Sequence, residues 1–182
     1  MSNVPAVAPT PVTLEALLAA RDRRAERQRV WLARWQETLV SLTLVWPGEV
    51  KDSPQARQVM QVALMTFGQL VQGAGWGISQ HQVFWLPEGA EAFWAVTAPA
   101  AAVKRATIAL ENHHSLGRLW DMDVFSPQDG LLSRSLFGQP ARPCLVCDEP
   151  AHACARSGKH PLSRLLQSIE DKIDDYVNSS SV

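Results

Sequence analysis

Asp121 and Asp123 lie two apart in Leu119-Trp120-Asp121-Met122-Asp123-Val124-Phe125, a run that is otherwise apolar. Such a run predicts a short strand entering a core. On a strand, residues two apart share a face, roughly 7 Å from one another along the chain. Carboxylates enter apolar surroundings only when paired, hydrogen-bonded or bound to a cation. Two on one face suit Mg²⁺, which takes one or two carboxylates and fills its other positions with water and substrate phosphate. The plainer reading is a pair of acids on the solvated face of an edge strand. The neighbourhood favours the first reading. His113, His114, Gly117 and Arg118 all fall in the eight residues before Asp121, and glycine at 117 would let the backbone approach a ligand closely.

A second constellation is Cys144-x2-Cys147-x6-Cys154-x5-His160. Three thiols and an imidazole make a known structural zinc set, which would fill all four positions and leave none for catalysis. The alternative is three reduced thiols and a surface histidine. A redox role for Cys144 and Cys147 lacks the strand-to-helix context that lowers a thiol's pKa.

The third is a basic segment. Arg21, Arg23, Arg24, Arg27, Arg29 and Arg34 face only Asp22 and Glu26. Stepping by threes and fours from Leu17 brings Arg21, Arg24 and Gln28 onto one helix face with Trp31 and Trp35. Arginine's planar fork suits phosphate, although the same pattern serves a solvated face whose stems cover apolar surface. The C-terminal Glu170–Asp175 stretch is acidic. A net charge of −1 therefore hides a basic end and argues against a general nucleic-acid binder.

The elements that would position these residues can be read in order. Thr13 caps a helix through Trp35, with Glu15 in its first turn. Leu39–Trp46 is rich in strand formers and apolar on both faces, as a central strand would be. Pro47-Gly48 ends it, and Lys51 follows in the loop. Ser53-Pro54 opens a second helix carrying Val59, Val62, Ala63, Phe67 and Val71. Strands at 78–86 and 91–97 flank a Pro87-Glu88-Gly89 turn. A helix at 99–111 turns Val103, Ala106, Thr107 and Leu110 inward. The Asp-x-Asp strand follows, then a strand over 131–137 with Ser133 and Arg134, the cysteine loop, and a helix over 162–177. The fold class is α+β, with a central mixed or antiparallel sheet flanked by helices and a βαββαβ, ferredoxin-like core. Residues 13–178 read as one domain containing the Cys/His segment at 140–160, between tails at 1–12 and 179–182. The 182 residues, 46% of them apolar, suit such a domain. No stretch has the length of a membrane span or the make-up of a leader. The odd number of cysteines fits a reducing cytoplasm.

Four blocks of sequence carry a resemblance. They are Leu17-Leu18-x2-Arg21-Asp22-x-Arg24-x3-Gln28; Pro47-Gly48-x2-Lys51; His114-x2-Gly117-Arg118-Leu119-x-Asp121-x-Asp123-Val124; and Ser133-Arg134 followed by Arg142-x-Cys144-Leu145-x-Cys147-x6-Cys154-x-Arg156-x3-His160. Together they resemble the citrate lyase holo-acyl-carrier-protein synthases, also called apo-citrate lyase phosphoribosyl-dephospho-CoA transferases. The resemblance implies a nucleotidyltransferase-type enzyme of prosthetic-group attachment. Its donor is 2′-(5″-triphosphoribosyl)-3′-dephospho-CoA. Its acceptor is a serine of the acyl carrier (gamma) subunit of citrate lyase, and diphosphate leaves. On that reading Asp121 and Asp123 hold Mg²⁺, and Arg21, Arg24, Gln28, Lys51, Arg118 and Arg134 contact the donor. His114 orients or deprotonates the serine, and zinc at Cys144, Cys147, Cys154 and His160 is structural. Related nucleotidyltransferases carry Gly-Ser about ten residues before Asp-x-Asp; Glu111 stands there here. The competing readings are a zinc-stabilised, non-catalytic assembly module for a carrier protein, and an enzyme using ordinary nucleoside triphosphates.

Overall fold

The computed structural model describes residues 10–179. Residues 1–9 and 180–182, where most of both expected tails fall, lie outside the described residues. The chain runs α1 (Leu14–Trp35), β1 (Thr38–Leu44), α2 (Pro54–Gly73), β2 (Gly77–Phe84), β3 (Glu91–Thr97), α3 (Ala100–His113), β4 (Trp120–Ser126), β5 (Gly130–Leu131), α4 (Ala151–Ser157) and α5 (Leu162–Ser179). The strands form one sheet in the order β2-β3-β1-β4-β5, and every pairing is antiparallel. β1 and β2 are thus parallel to each other with β3 between them, and β3 and β4 are parallel with β1 between. These are two interleaved split βαβ units, the ferredoxin-like arrangement expected from the element order.

Local chemistry explains most of the boundaries. The Thr13 hydroxyl accepts the Ala16 N–H at 3.2 Å, and the Ser53 hydroxyl accepts the Ala56 N–H at 3.1 Å ahead of Pro54. Each satisfies one of the donors that a helix N-terminus leaves open. β1 is buried on both faces because a layer covers each. On one face Val40, Leu42, Ala92, Trp94, Val96, Trp120, Met122 and Val124 pack against Val59, Phe67, Val103, Ile169 and Ile173 of α2, α3 and α5. Each such side chain, fully buried, contributes about 1.5–3 kcal/mol. On the other face lies α1: Gln28 donates to the Ser41 hydroxyl at 2.9 Å, and the Trp31 ring meets Phe93 edge-on at 5.5 Å.

Two expectations need correction. The strand over 131–137 shrinks to Gly130–Leu131. After Leu132, whose N–H bonds the Val124 carbonyl, Arg134–Phe137 form a 3-10 turn closed by Gly138 at φ 67°. On α3 the buried positions are Val103, Lys104, Thr107, Ile108 and Glu111, about one residue round from the expected stripe. Among the described residues no helix is long and apolar enough to cross a membrane.

Candidate functional site

The pairing register places the acids. Asp121 lies opposite Thr43, and Asp123 opposite Ser41. Both carboxylates therefore occupy the face that α1 crosses, one strand from the Gln28–Ser41 contact. β3 adds Glu91 to that face, where it accepts from Arg24 at 3.0 Å and also from Arg27. Beside Thr43 a cleft of about 320 Å³ opens, lined by Arg21, Arg24, Thr43, Trp46, Lys51 and Glu91. The helix thus delivers Arg21, Arg24 and Gln28 to one face as its spacing predicts, and the loop after β1 brings Lys51 to the same cleft. Lys51 Nζ donates to the Trp46 carbonyl, and burial lowers its pKa. The bidentate Asp52–Arg57 pair, at 2.6 and 2.7 Å, fixes the loop's far end.

The two acids differ. The Asp121 side chain is 48% exposed and accepts from Arg142 at 3.1 Å. Asp123 has no hydrogen bond or ion pair among the described residues. Burial, and next the Asp121 charge, push its pKa up to about 6, against the pull of Lys104 and Arg24. A half-buried, unpartnered carboxylate beside a second acid is a donor set that fits a divalent cation.

β4 pairs with β5 only at Phe125 and Ser126. Along the rest of that edge, side chains replace a neighbouring strand. Glu111 accepts the Met122 N–H at 2.8 Å, and Lys104 Nζ donates to the Met122 carbonyl at 3.2 Å. Arg142 donates to the Trp120 carbonyl. Glu111 in turn accepts from Arg134 at 2.6 Å. Glu111 therefore holds the acid-bearing strand in place, from the position where related nucleotidyltransferases carry Gly-Ser. Arg134 is committed to this edge, and its second amino group donates to Asn112 at 2.8 Å.

The structure does not bring His114 to the acids. Its ring packs on Trp120 at 4.4 Å and near Tyr176 at 5.7 Å. Trp120 points to the α2/α3/α5 face, opposite Asp121, because strand side chains alternate. His114 Nδ1 accepts the Leu116 N–H at 3.0 Å, and burial lowers its pKa. Gly117 approaches protein, not a ligand: a Cβ there would sit 2.2 Å from the Leu110 carbonyl oxygen. Arg118 Nε bonds the Pro143 carbonyl at 2.7 Å, and burial, then Arg142, lower its pKa to about 10. Arg118 also lines a mostly apolar cavity of about 340 Å³ with Trp46, Leu145 and Leu165. Trp46 is common to this cavity and the basic cleft.

The cysteine segment converges as its spacing suggests. The ligand atoms of Cys144, Cys147, Cys154 and His160 all lie within 4.8 Å of one another, a group that could hold a metal ion. Cys147 Sγ is 3.6 Å from Cys154 Sγ and 3.2 Å from His160 Nε2. A tetrahedral zinc with bonds of about 2.3 Å to sulfur and 2.0 Å to nitrogen spans about 3.8 and 3.5 Å between such atoms. Burial raises the Cys144 pKa, but the N–H groups of Val146 and Cys147 together with the Cys154 and Cys147 side chains lower it, and the net shift is downward. Donors turned onto a sulfur in this way favour the thiolate that a metal requires, whereas burial, and next the Cys147 and Cys144 side chains, push the Cys154 thiol up to about 12.

The family of apo-citrate lyase phosphoribosyl-dephospho-CoA transferases matches residues 12–176. The chain belongs to this family. Relatives bearing the family's name include one from Citrobacter koseri, 42% identical over 168 residues and covering 92% of each chain. Another, from Escherichia coli O139:H28, is 40% identical over 164 residues, 90% of each chain. A Shigella boydii serotype 18 relative has the same identity and coverage. The transferase family's matched span takes in α1, the acid pair and all four Cys/His positions. The sequence assigns no role to Lys104, shows Glu111 only as the residue in place of Gly-Ser, and shows Arg142 only as the start of the block that leads into Cys144. The available signal was Lys104 and Glu111 seven residues apart, two helical turns, bordering an apolar stripe.

Proposed function

We propose that the chain transfers the phosphoribosyl-dephospho-CoA group from 2′-(5″-triphosphoribosyl)-3′-dephospho-CoA to a serine of the acyl carrier subunit of citrate lyase. The observation that carries this is the sharing of one sheet face by Asp121 and Asp123 with Arg21, Arg24 and Lys51, in a chain of this family. The serine oxygen forms a bond to the α-phosphorus, the bond to the diphosphate breaks, and the hydroxyl proton passes to water. Asp121 and Asp123 would hold Mg²⁺, which when bound supplies charge neutralisation between the reacting phosphate and the leaving group. Arg21, Arg24 and Lys51 supply cations where the triphosphate lies. Gln28 acts by fixing α1 on β1, and Arg134 by fixing the edge of β4. His114, packed on the other face, is assigned no part in the transfer. Zinc at Cys144, Cys147, Cys154 and His160 would be structural, since four protein ligands leave no open position.

The test is intact mass spectrometry of the apo carrier subunit after incubation with the chain, the donor and Mg²⁺. A mass gain matching the prosthetic group, lost with Asp121→Asn and with omission of Mg²⁺, is expected. No gain with a competent donor would overturn the assignment and leave the non-catalytic assembly role.

A further inference from the structure

The cysteine cluster and the acid pair belong to different parts of the chain, and one side chain joins them. Arg142 stands two residues before Cys144. Its Nη1 donates to Asp121 Oδ1 at 3.1 Å. Its Nη2 donates to the carbonyls of Trp120, Arg118 at 3.2 Å and Gly117 at 3.4 Å. The guanidinium is thus locked between the start of β4 and one carboxylate oxygen, and the other oxygen of Asp121 has no hydrogen bond among the described residues.

The backbone around Arg142 is fixed by the cluster's own loop. The Arg142 carbonyl accepts the Ala151 N–H at 2.8 Å, and Cys144 N–H donates to the Glu149 carbonyl at 2.7 Å. Pro143 and Pro150 face each other as a bridge between these bonds. Both strands of this small ladder run directly into ligand positions: Cys144 and Cys147 on one side, Cys154 on the other. A metal that ties the four ligands together therefore also closes the ladder from which Arg142 projects.

We infer that Arg142 is a positioning residue for the cation seat, and that the Cys/His cluster acts on the transfer by holding Arg142 against Asp121. The inference rests on the reading that Asp121 and Asp123 hold the divalent cation. Asp121 is half exposed and would turn freely without a partner. Arg142 fixes one oxygen and presents the other toward the face shared with Asp123. Groups that orient metal ligands in this way typically change metal affinity or activity about 10–100-fold when removed. Lysine at 142 keeps the charge but not the fork that reaches the carboxylate and three carbonyls together.

The test uses Mn²⁺ as the probe of the acid pair, its affinity read by electron paramagnetic resonance on the full chain with zinc loaded. Four variants are compared with the unaltered protein: Asp121→Asn, Arg142→Lys, Cys147→Ser and the Arg142→Lys/Cys147→Ser double. Asp121→Asn removes the Mn²⁺ site; if it does not, the cation reading falls and takes the inference with it. Arg142→Lys is expected to weaken Mn²⁺ about tenfold with zinc content unchanged. Unchanged Mn²⁺ affinity there, with Asp121→Asn still disruptive, overturns the inference alone. Cys147→Ser is expected to weaken Mn²⁺ by a similar factor, and the double no further, because both changes break one linkage. Losses that multiply, or a Cys147→Ser protein that binds Mn²⁺ normally, would sever the cluster from Arg142. Arg142→Lys leaves the cluster intact, so its result stands even where Cys147→Ser fails to fold.

Discussion

Asp123→Asn should stabilise the protein while removing its cation seat. Asp123 sits under α1, beside Asp121 and without a hydrogen-bond donor among the described residues, and burial followed by the Asp121 charge raises its pKa from 3.8 to about 6. The folded state therefore holds this proton more tightly than the unfolded chain. The resulting stability is fully present below about pH 4 and is lost as pH rises through about 6. At 1.36 kcal/mol for each pKa unit, the ionised carboxylate forgoes about 3 kcal/mol by pH 8. The asparagine amide must itself be buried, at about 1 kcal/mol at every pH, so the variant should gain about 2 kcal/mol at pH 8 and lose up to about 1 kcal/mol below about pH 4. Urea unfolding of both proteins without added divalent cation, across that range, reads the difference directly. Added Mg²⁺ at pH 8 should stabilise only the protein with Asp123, in proportion to its binding there. A variant less stable than the parent at pH 8, or a difference that does not move with pH, would refute the reasoning. Either result would mean that Asp123 is not an uncompensated charge.

Three further outcomes follow from the same geometry. Glu111→Ala strips the Met122 N–H and the Arg134 guanidinium of their buried partner, and should cost about 3–5 kcal/mol in urea unfolding. Gly117→Ala drives a Cβ to 2.2 Å from the Leu110 carbonyl oxygen; the turn must move, and a melting temperature lower by at least several degrees is expected. His114→Ala loses ring contact with Trp120 and Tyr176 but no contact near the acids. It should lose about 1–2 kcal/mol of stability while transferring the prosthetic group at close to the parent rate. A rate collapse in a folded His114→Ala protein would instead restore the histidine as the base.

The parts of the fold that could be read from the sequence are those set by local chemistry. Ser53-Pro54, Thr13 and the Pro87-Glu88-Gly89 turn act within a few residues of themselves, and α2 and the β2–β3 pair fell where they indicate. The Asp-x-Asp alternation fixed a shared face for two acids, and the Arg21/Arg24/Gln28 spacing fixed a shared face on α1. Neither pattern could say that these two faces meet. The 131–137 run shows where a local reading misleads. Leu131-Leu132 and Leu136-Phe137 bracket Ser133-Arg134-Ser135 in a short run bounded by turn residues. Arg134, however, is drawn to Glu111, 23 residues earlier, and one buried ion pair outweighs a weak strand preference. His114 misleads in another way. It is seven residues from Asp121, yet it follows a helix on the far side of the sheet, and proximity in sequence does not give proximity in space.

Lys104, Glu111, Arg134 and Arg142 share one physical role: all serve a strand that lacks a full neighbour. An exposed strand edge must be paired, covered or charged, and β4 is covered by side chains rather than by another strand. This has a functional advantage that a paired edge would lack. A sixth strand beside Trp120–Met122 would occupy the space through which Arg142 reaches Asp121. Charged side chains satisfy the same backbone groups and leave a carboxylate open to a cation and a large phosphorylated donor. On the proposed reading, the short β5 and the 3-10 turn that replaces its continuation leave the surroundings that a cation seat on β4 would require.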